Sequence, residues 1–116
     1  MVTVILNCYK RTVYLKEQIE AIKNQSVKVD EIMVWSNKPE EGIQYNIDDL
    51  GVTAAYCNTN LKFHARFAYG LLAKSEYIAY FDDDTIPGKD WFKNCLNCMD
   101  EGNFILGTSG VRLESD

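Results

Sequence analysis

The β-branched run Val2-Thr3-Val4-Ile5-Leu6 is too short for a helix and stops at the polar cluster Asn7-Cys8-Tyr9-Lys10-Arg11. It predicts a buried strand followed by a loop rich in functional groups. From Thr12, a candidate N-cap, apolar Leu15, Ile19 and Ile22 recur at helical spacing while Lys16, Glu17, Glu20 and Lys23 take the other side. That pattern predicts an amphipathic helix ending near Asn24. Glu31-Ile-Met-Val-Trp35 predicts a second strand, broken by Ser36-Asn37-Lys38-Pro39, and Thr53–Cys57 a weaker third, with residues 40–52 between them undetermined. Phe63, Phe67 and Leu71 fall four apart, with Ala68 and Leu72 beside them, so a second helix is expected over 63–74 despite the cost of Gly70. Tyr77–Phe81, apolar at every position, predicts a central strand covered on both faces, and three aspartates follow it. Beyond Pro87-Gly88 a third helix capped by Asp90 carries Trp91, Cys95, Leu96 and Met99 on one side, and Phe104–Leu106 predicts a fifth short strand. This order is that of a Rossmann-like α/β fold, a mostly parallel sheet flanked by helices, forming one domain over residues 1–116.

Composition narrows the class. At 116 residues there is one core to build, and 47% hydrophobic with 25% charged residues is globular, not disordered. Twelve basic against seventeen acidic residues leave a net charge of −5, the wrong sign for a protein that grips nucleic acid by counterion release. Apolar stretches reach about five residues, as in Val2–Leu6, against the roughly 20 of a membrane-spanning helix. The opening Met1-Val-Thr-Val-Ile-Leu6 has neither a basic n-region nor a cleavage site. A cytoplasmic protein is therefore expected, with peripheral membrane association still compatible. Cys95 and Cys98 form a C-x-x-C pair inside a predicted helix with no second pair to complete a zinc site, so free buried thiols in a reducing compartment are the plainer reading.

The polar clusters Asn7–Arg11, Ser36-Asn37 and Asp82-Asp83-Asp84 each follow a predicted strand, and ligands of open α/β sheets collect beyond those carboxyl ends. Adjacent carboxylates roughly 5 Å apart repel by about 0.8 kcal/mol in water and about 3 kcal/mol at an effective dielectric of 20, so a cation belongs among them. Mg²⁺ or Mn²⁺ takes one or two carboxylates, waters and the oxygens of a diphosphate, which makes the triplet a candidate metal-diphosphate clamp. The plain alternative is a solvated acidic turn in which Asp84 caps the turn before Pro87.

An opening strand ending in Asn-Cys-Tyr-Lys-Arg-Thr, a second strand Val34-Trp35-Ser36-Asn37, Arg66 sixteen positions before the acidic motif, and Phe81-Asp-Asp-Asp-Thr85 stand in order along the chain. With these landmarks the chain resembles a GT-A glycosyltransferase. It is similar to family 2 in the first helix and the Ala-Arg segment, and to exostosin-like family 64 in Val-Trp-x-Asn and Asp-Asp-Asp-Thr. The resemblance implies a metal-dependent enzyme using a nucleotide-diphospho-sugar, UDP-linked by the nearest likeness, to glycosylate a sugar, lipid or protein acceptor. Carried over position by position, it sets Asn7, Tyr9 and Arg11 against the base, ribose or phosphates, gives Asn37 the base edge and turns Arg66 to the donor phosphates. Asp84 becomes the principal ligand of Mn²⁺ or Mg²⁺, with Asp82 near the ribose or metal and Asp83 near the donor sugar. Taken singly, Arg11 also reads as a surface residue, Tyr9 as a loop aromatic and Asn37 as a turn-former beside Pro39. Trp35 and Trp91 read as core aromatics.

Such enzymes run to roughly twice this length, so the resemblance covers their donor-binding N-terminal half and leaves no catalytic base identified. A non-catalytic nucleotide-sugar-binding module is therefore the rival function. An apolar edge at Phe104–Leu106 would favour self-association. A phospho-acceptor receiver domain has similar size, but needs acidic residues after the first strand, where this chain has Asn-Cys-Tyr-Lys-Arg.

Overall fold

The computed structural model describes residues 1–10, 12–41, 47–103 and 105–107. Four parallel strands, β1 (Val2–Tyr9), β2 (Glu31–Asn37), β3 (Thr53–Cys57) and β4 (Tyr77–Phe81), form one sheet in the order β3-β2-β1-β4. The first strand is longer than its β-branched run because Asn7, Cys8 and Tyr9 stay in register with Trp35, Ser36 and Asn37. It is also the central strand, and its alternating side chains build both cores. Val4, Leu6 and Cys8 pack with Ile19, Ile22, Val34, Phe81 and Phe92 on the face covered by α1 (Leu15–Lys23) and α3 (Trp91–Met99). Ile5 packs with Met33 and Tyr69 on the other face, under α2 (Ala65–Gly70).

The structure corrects several expectations. β4 is an edge strand among the described residues, and Ile78 is exposed, because nothing described pairs on its far side. Ile105 and Leu106 are not in a strand and are exposed, so the expected fifth strand is not formed there; Phe104 lies outside the described residues. The helix expected over 63–74 is a 3₁₀ turn, Lys62–His64, followed by the short α2. Its period-four residues Phe63, Phe67 and Leu71 are all exposed, and the buried positions are Ala65, Tyr69 and Gly70. Finally, Thr12 and Asp90 do not cap by side chain. α1 follows Tyr14 without a side-chain cap. The Phe92 N–H at the start of α3 is satisfied by Gln25 Oε1 (3.3 Å), while Gln25 Nε2 donates to Gly88 O (2.6 Å).

Gly70 has a packing reason. A Cβ there would collide with the Tyr80 hydroxyl of β4, whose ring carbon Cζ would lie 3.1 Å away. The pressure falls on an aromatic ring held against Phe67, with centroids 4.9 Å apart. Gly70→Ala gains about 1 kcal/mol of helix propensity but incurs an overpacking cost of about 1–3 kcal/mol. A net loss of stability in urea melts is expected, and Tyr80→Phe in the same background should recover part of it.

Ile47 is fully buried in the α1/α3-side core; it belongs to the stretch 40–52 whose class the sequence leaves undetermined, of which residues 42–46 lie outside the described residues. Among the described residues no helix is long and apolar enough to cross a membrane. The four cysteines are free, and Cys98 is exposed where burial was expected.

Candidate functional site

The register sets Tyr9, Asn37 and Cys57 side by side across β1, β2 and β3, while Phe81 ends β4 beside Leu6. The polar groups after these strands therefore share one rim. At its β4 end the Asp82-Asp83-Asp84 segment folds into a turn closed by Thr85 N donating to Asp82 O (3.2 Å). The turn is fastened from below by Gln18 of α1, whose Nε2 donates to Asp82 O (2.6 Å) and Thr85 O (2.7 Å). The apolar stripe of α1 alone does not single out Gln18. The available signal was its place in the helix's inward stripe, between Leu15 and Ile19 at helical spacing, where a buried polar residue calls for a partner.

This turn sends its carboxylates two ways. Asp83 and Asp84 line a cavity of about 370 Å³ between the end of β1, at Tyr9, and the start of α1, at Thr12, Tyr14 and Gln18. Because α1 begins without a side-chain cap, its first N–H groups and its dipole favour an anion on that side. Asp82 instead takes a charge-assisted hydrogen bond from Arg66, Nη1 to Oδ1 2.5 Å, and Arg66 Nε donates to Phe63 O (3.2 Å). The Arg66 side chain is 13% exposed and that of Asp82 67%, so the pair orients Arg66 more than it stabilises the fold. Asp82 also borders a larger apolar groove of about 620 Å³ running along β4 and α3 to Ile105 and Leu106.

The remaining expected residues are dispersed along the rim. Tyr9 is exposed, with Lys10 Nζ 5.3 Å from its ring centre. Asn7 lies inward of it, and its Oδ1 is buried without a partner, as are Trp35 Nε1 and the Tyr69 hydroxyl on the same face. Asn37 is 2% exposed and both ends of its amide are engaged. Nδ2 donates to Asn60 Oδ1 (2.6 Å) and Oδ1 accepts from Leu61 N (3.0 Å), so the side chain holds the turn beyond β3. Arg11 lies outside the described residues. Cys8 borders the smaller cavity, and burial, reinforced by the charge of Asp83, keeps its thiol above the ordinary range and hence protonated at neutral pH.

Among the described residues no three His, Cys, Asp or Glu side chains gather closely enough to hold a metal ion. Two hard carboxylates on one cavity nevertheless suit Mg²⁺ or Mn²⁺, which keep several waters and take further oxygens from a phosphate ligand. The donor set fits a metal that arrives with a diphosphate and does not fit a closed, resident one.

A family model described as Glycosyl transferase family 2 matches residues 3–115. No curated protein matches the chain by sequence. Among solved structures, S. aureus TarS 1-349 in complex with UDP-GlcNAc is similar at a TM-score of 0.73 and 18% identity, over 86% of this chain and 31% of that one. Mannosyltransferase PcManGT from Pyrobaculum calidifontis, in complex with GDP-Man and Mn²⁺, is similar at 0.72 and 23% identity, over 84% and 32%. The larger S. aureus TarS structure is covered over 19% of its length, so the chain spans about a third or less of these proteins.

Proposed function

This chain belongs to glycosyl transferase family 2, and on that premise we propose that it is the donor-binding part of a metal-dependent glycosyltransferase using a nucleoside-diphosphate sugar. The observation that carries this reading is the acidic turn itself. Asp83 and Asp84 share a cavity with the uncapped start of α1, and Arg66 is held against Asp82 of the same turn. One anchored turn thus offers carboxylates for a divalent cation between two features that favour phosphate. The solved structures with UDP-GlcNAc and with GDP-Man and Mn²⁺ support the donor class. When bound, the metal would be held by Asp84 and Asp83 and would offset the charge developing on the departing nucleoside diphosphate. The chain's own work is to aim Arg66 at the phosphates, fix the turn through Gln18 and lay Tyr9 beside the cavity. Asn37 serves the nucleoside side by holding Leu61 in place, and UDP is the preferred nucleotide.

Calorimetry with UDP and GDP tests this. Binding is expected to be weak in EDTA and at least tenfold tighter in millimolar Mn²⁺, with the metal-dependent part absent in Asp84→Asn. Equal affinities in EDTA and Mn²⁺ would sink the clamp, and equal affinities for UDP and GDP would remove the base preference alone. A binding module without turnover remains the second reading, because Asp83 and Asp84 are the only carboxylates, and no histidine is present, among the described residues lining the smaller cavity. Release of free sugar from UDP-GlcNAc by the purified chain separates the two.

A further inference from the structure

Cys95 and Cys98 stand about one helical turn apart on α3, and both thiols are free. Burial accounts for only one of them. Cys95 is half-buried and lines the apolar groove together with Leu96 and Met99, whereas Cys98 is exposed, where a core-filling cysteine does not belong. Positions i, i+3 and i+4 share one face of a helix, so Cys98 and Met99 both neighbour Cys95 from the following turn. Three sulfur-bearing residues, two thiols and a thioether, therefore lie within an arc of about 100°.

The spacing suits a chelated ion better than a disulfide. Cβ atoms at i and i+3 of a helix are about 5–6 Å apart, against the about 3.5–4.5 Å that a disulfide requires, so closing an S–S bond would distort the helix. Its hydrogen bonds are intact through this turn: Asp100 N donates to Leu96 O (3.1 Å), Glu101 N to Cys98 O (3.2 Å) and Gly102 N to Met99 O (3.2 Å). An ion between the sulfurs spans the larger gap and leaves those bonds in place. The two sulfurs are also near enough to sense each other, since burial and then the charge of Cys98 raise the Cys95 thiol above its ordinary range. The helix end adds a field of the right sign. No basic residue stands in the last turn of α3, its carbonyl end carries partial negative charge, and the exposed Asp100 and Glu101 follow, all of which favour a cation there.

We propose that Cys95 and Cys98, with the Met99 thioether as a third donor, form a site for a soft monovalent cation, Cu⁺, at the edge of the apolar groove. Thiolate and thioether ligands select soft ions, and Cu⁺ is satisfied by two or three of them. Zn²⁺ takes four donors in a structural site, and no cluster of three His, Cys, Asp or Glu side chains forms among the described residues. Mg²⁺ and Mn²⁺, the ions suited to the acidic turn, prefer oxygen. The ion enters from solvent at Cys98, and each thiol that ligates it releases its proton to water. None of the residues lining the Asp83 and Asp84 cavity belongs to α3, so this site stands independently of the donor reading.

The test is anaerobic competition for Cu⁺ between the intact chain and the chromophoric chelator bathocuproine disulfonate. One Cu⁺ per chain should be retained, and millimolar Mn²⁺ or Mg²⁺ should not displace it. Cys98→Ser should lower the affinity about a hundredfold, because the second thiolate binds as an intramolecular partner of the first. Cys98 is exposed, so the urea midpoint of the metal-free variant should match wild type. Cys95→Ser should lose as much affinity, Met99→Leu about tenfold, and Cys57→Ser none. X-ray absorption at the copper edge should show sulfur neighbours alone. Loss of all Cu⁺ to the chelator, or equal losses on replacing Cys57 and Cys98, would overturn the site, and wild-type affinity in Met99→Leu would remove the thioether from it. Cys98→Ser should still bind UDP with Mn²⁺ as wild type does, so a failure of the donor reading and a failure of this site are seen separately.

Discussion

Gln18→Leu is expected to lower the stability of the chain by about 1–3 kcal/mol and to weaken Mn²⁺-dependent UDP binding at least tenfold. The stability cost arises because one amide serves two main-chain carbonyls, Asp82 O and Thr85 O, and removing it takes the side-chain donor from both, leaving Asp82 O only the Thr85 N–H, at a site where Gln18 is 1% exposed. Leucine fills the same volume on the inward stripe of α1, so the loss is not a cavity effect. Binding falls because Asp83 and Asp84 hang on the turn that Gln18 fastens. Gln18→Glu should be worse than leucine, since a carboxylate facing two carbonyl oxygens repels where the amide donates. Urea unfolding gives the first quantity and calorimetry the second. A Gln18→Leu protein with wild-type urea midpoint and wild-type metal dependence would show that the turn holds its shape by other means.

That residue also shows how far the sequence alone reaches. Periodicity locates α1, yet the apolar stripe of Leu15, Ile19 and Ile22 does not by itself reveal that the polar Gln18 between them is buried too. The four strands were legible because β-branched and aromatic runs of five to eight residues have few alternatives. Helix α2 misled for the opposite reason. Phe63, Phe67 and Leu71 repeat every four residues as a core stripe would, but the small residues Ala65 and Gly70 allow the close approach to the sheet, so the phenylalanines face out. Periodicity reports a face; which face is buried depends on what the neighbouring strand presents, here the Tyr80 hydroxyl against Gly70. Edge position is a further thing a single strand does not encode. Tyr77–Phe81 is apolar enough for a central strand and still lies at the sheet's edge among the described residues.

The site was legible by type and position along the chain, less so by geometry. Arg66 and Asp82 were singled out separately, and the fold joins them. Asp82 and Asp84, read as two ligands of one metal, border different cavities. The resemblance gives Asn37 the base edge, whereas in the structure both ends of its amide are taken by Asn60 and Leu61. In each case the residue type announced a polar task, and only the packing decided which partner it met.

Arg66→Ala is expected to act in opposite directions on two ligands. The Arg66 guanidinium sits on the Asp82 carboxylate, offsetting one of three neighbouring negative charges. Its removal frees Asp82 and makes the turn more negative, so Mn²⁺ alone should bind more tightly than to wild type, by a few-fold because the site is solvated. For UDP with Mn²⁺ the same change removes a charge-assisted donor to phosphate worth about 1.5–3 kcal/mol, or roughly 10–150-fold in affinity. Uridine, which carries no phosphate, should lose almost nothing. Manganese binding is read by electron paramagnetic resonance of the free ion, and nucleotide binding by calorimetry. Arg66→Lys should restore the weak metal affinity of wild type but only part of the UDP affinity, because an ammonium supplies the charge without the fork. Parallel losses for Mn²⁺, UDP and uridine would mean that Arg66 is merely structural. Unchanged UDP affinity would show that the phosphates lie elsewhere on the rim, with Arg66 serving Asp82 alone.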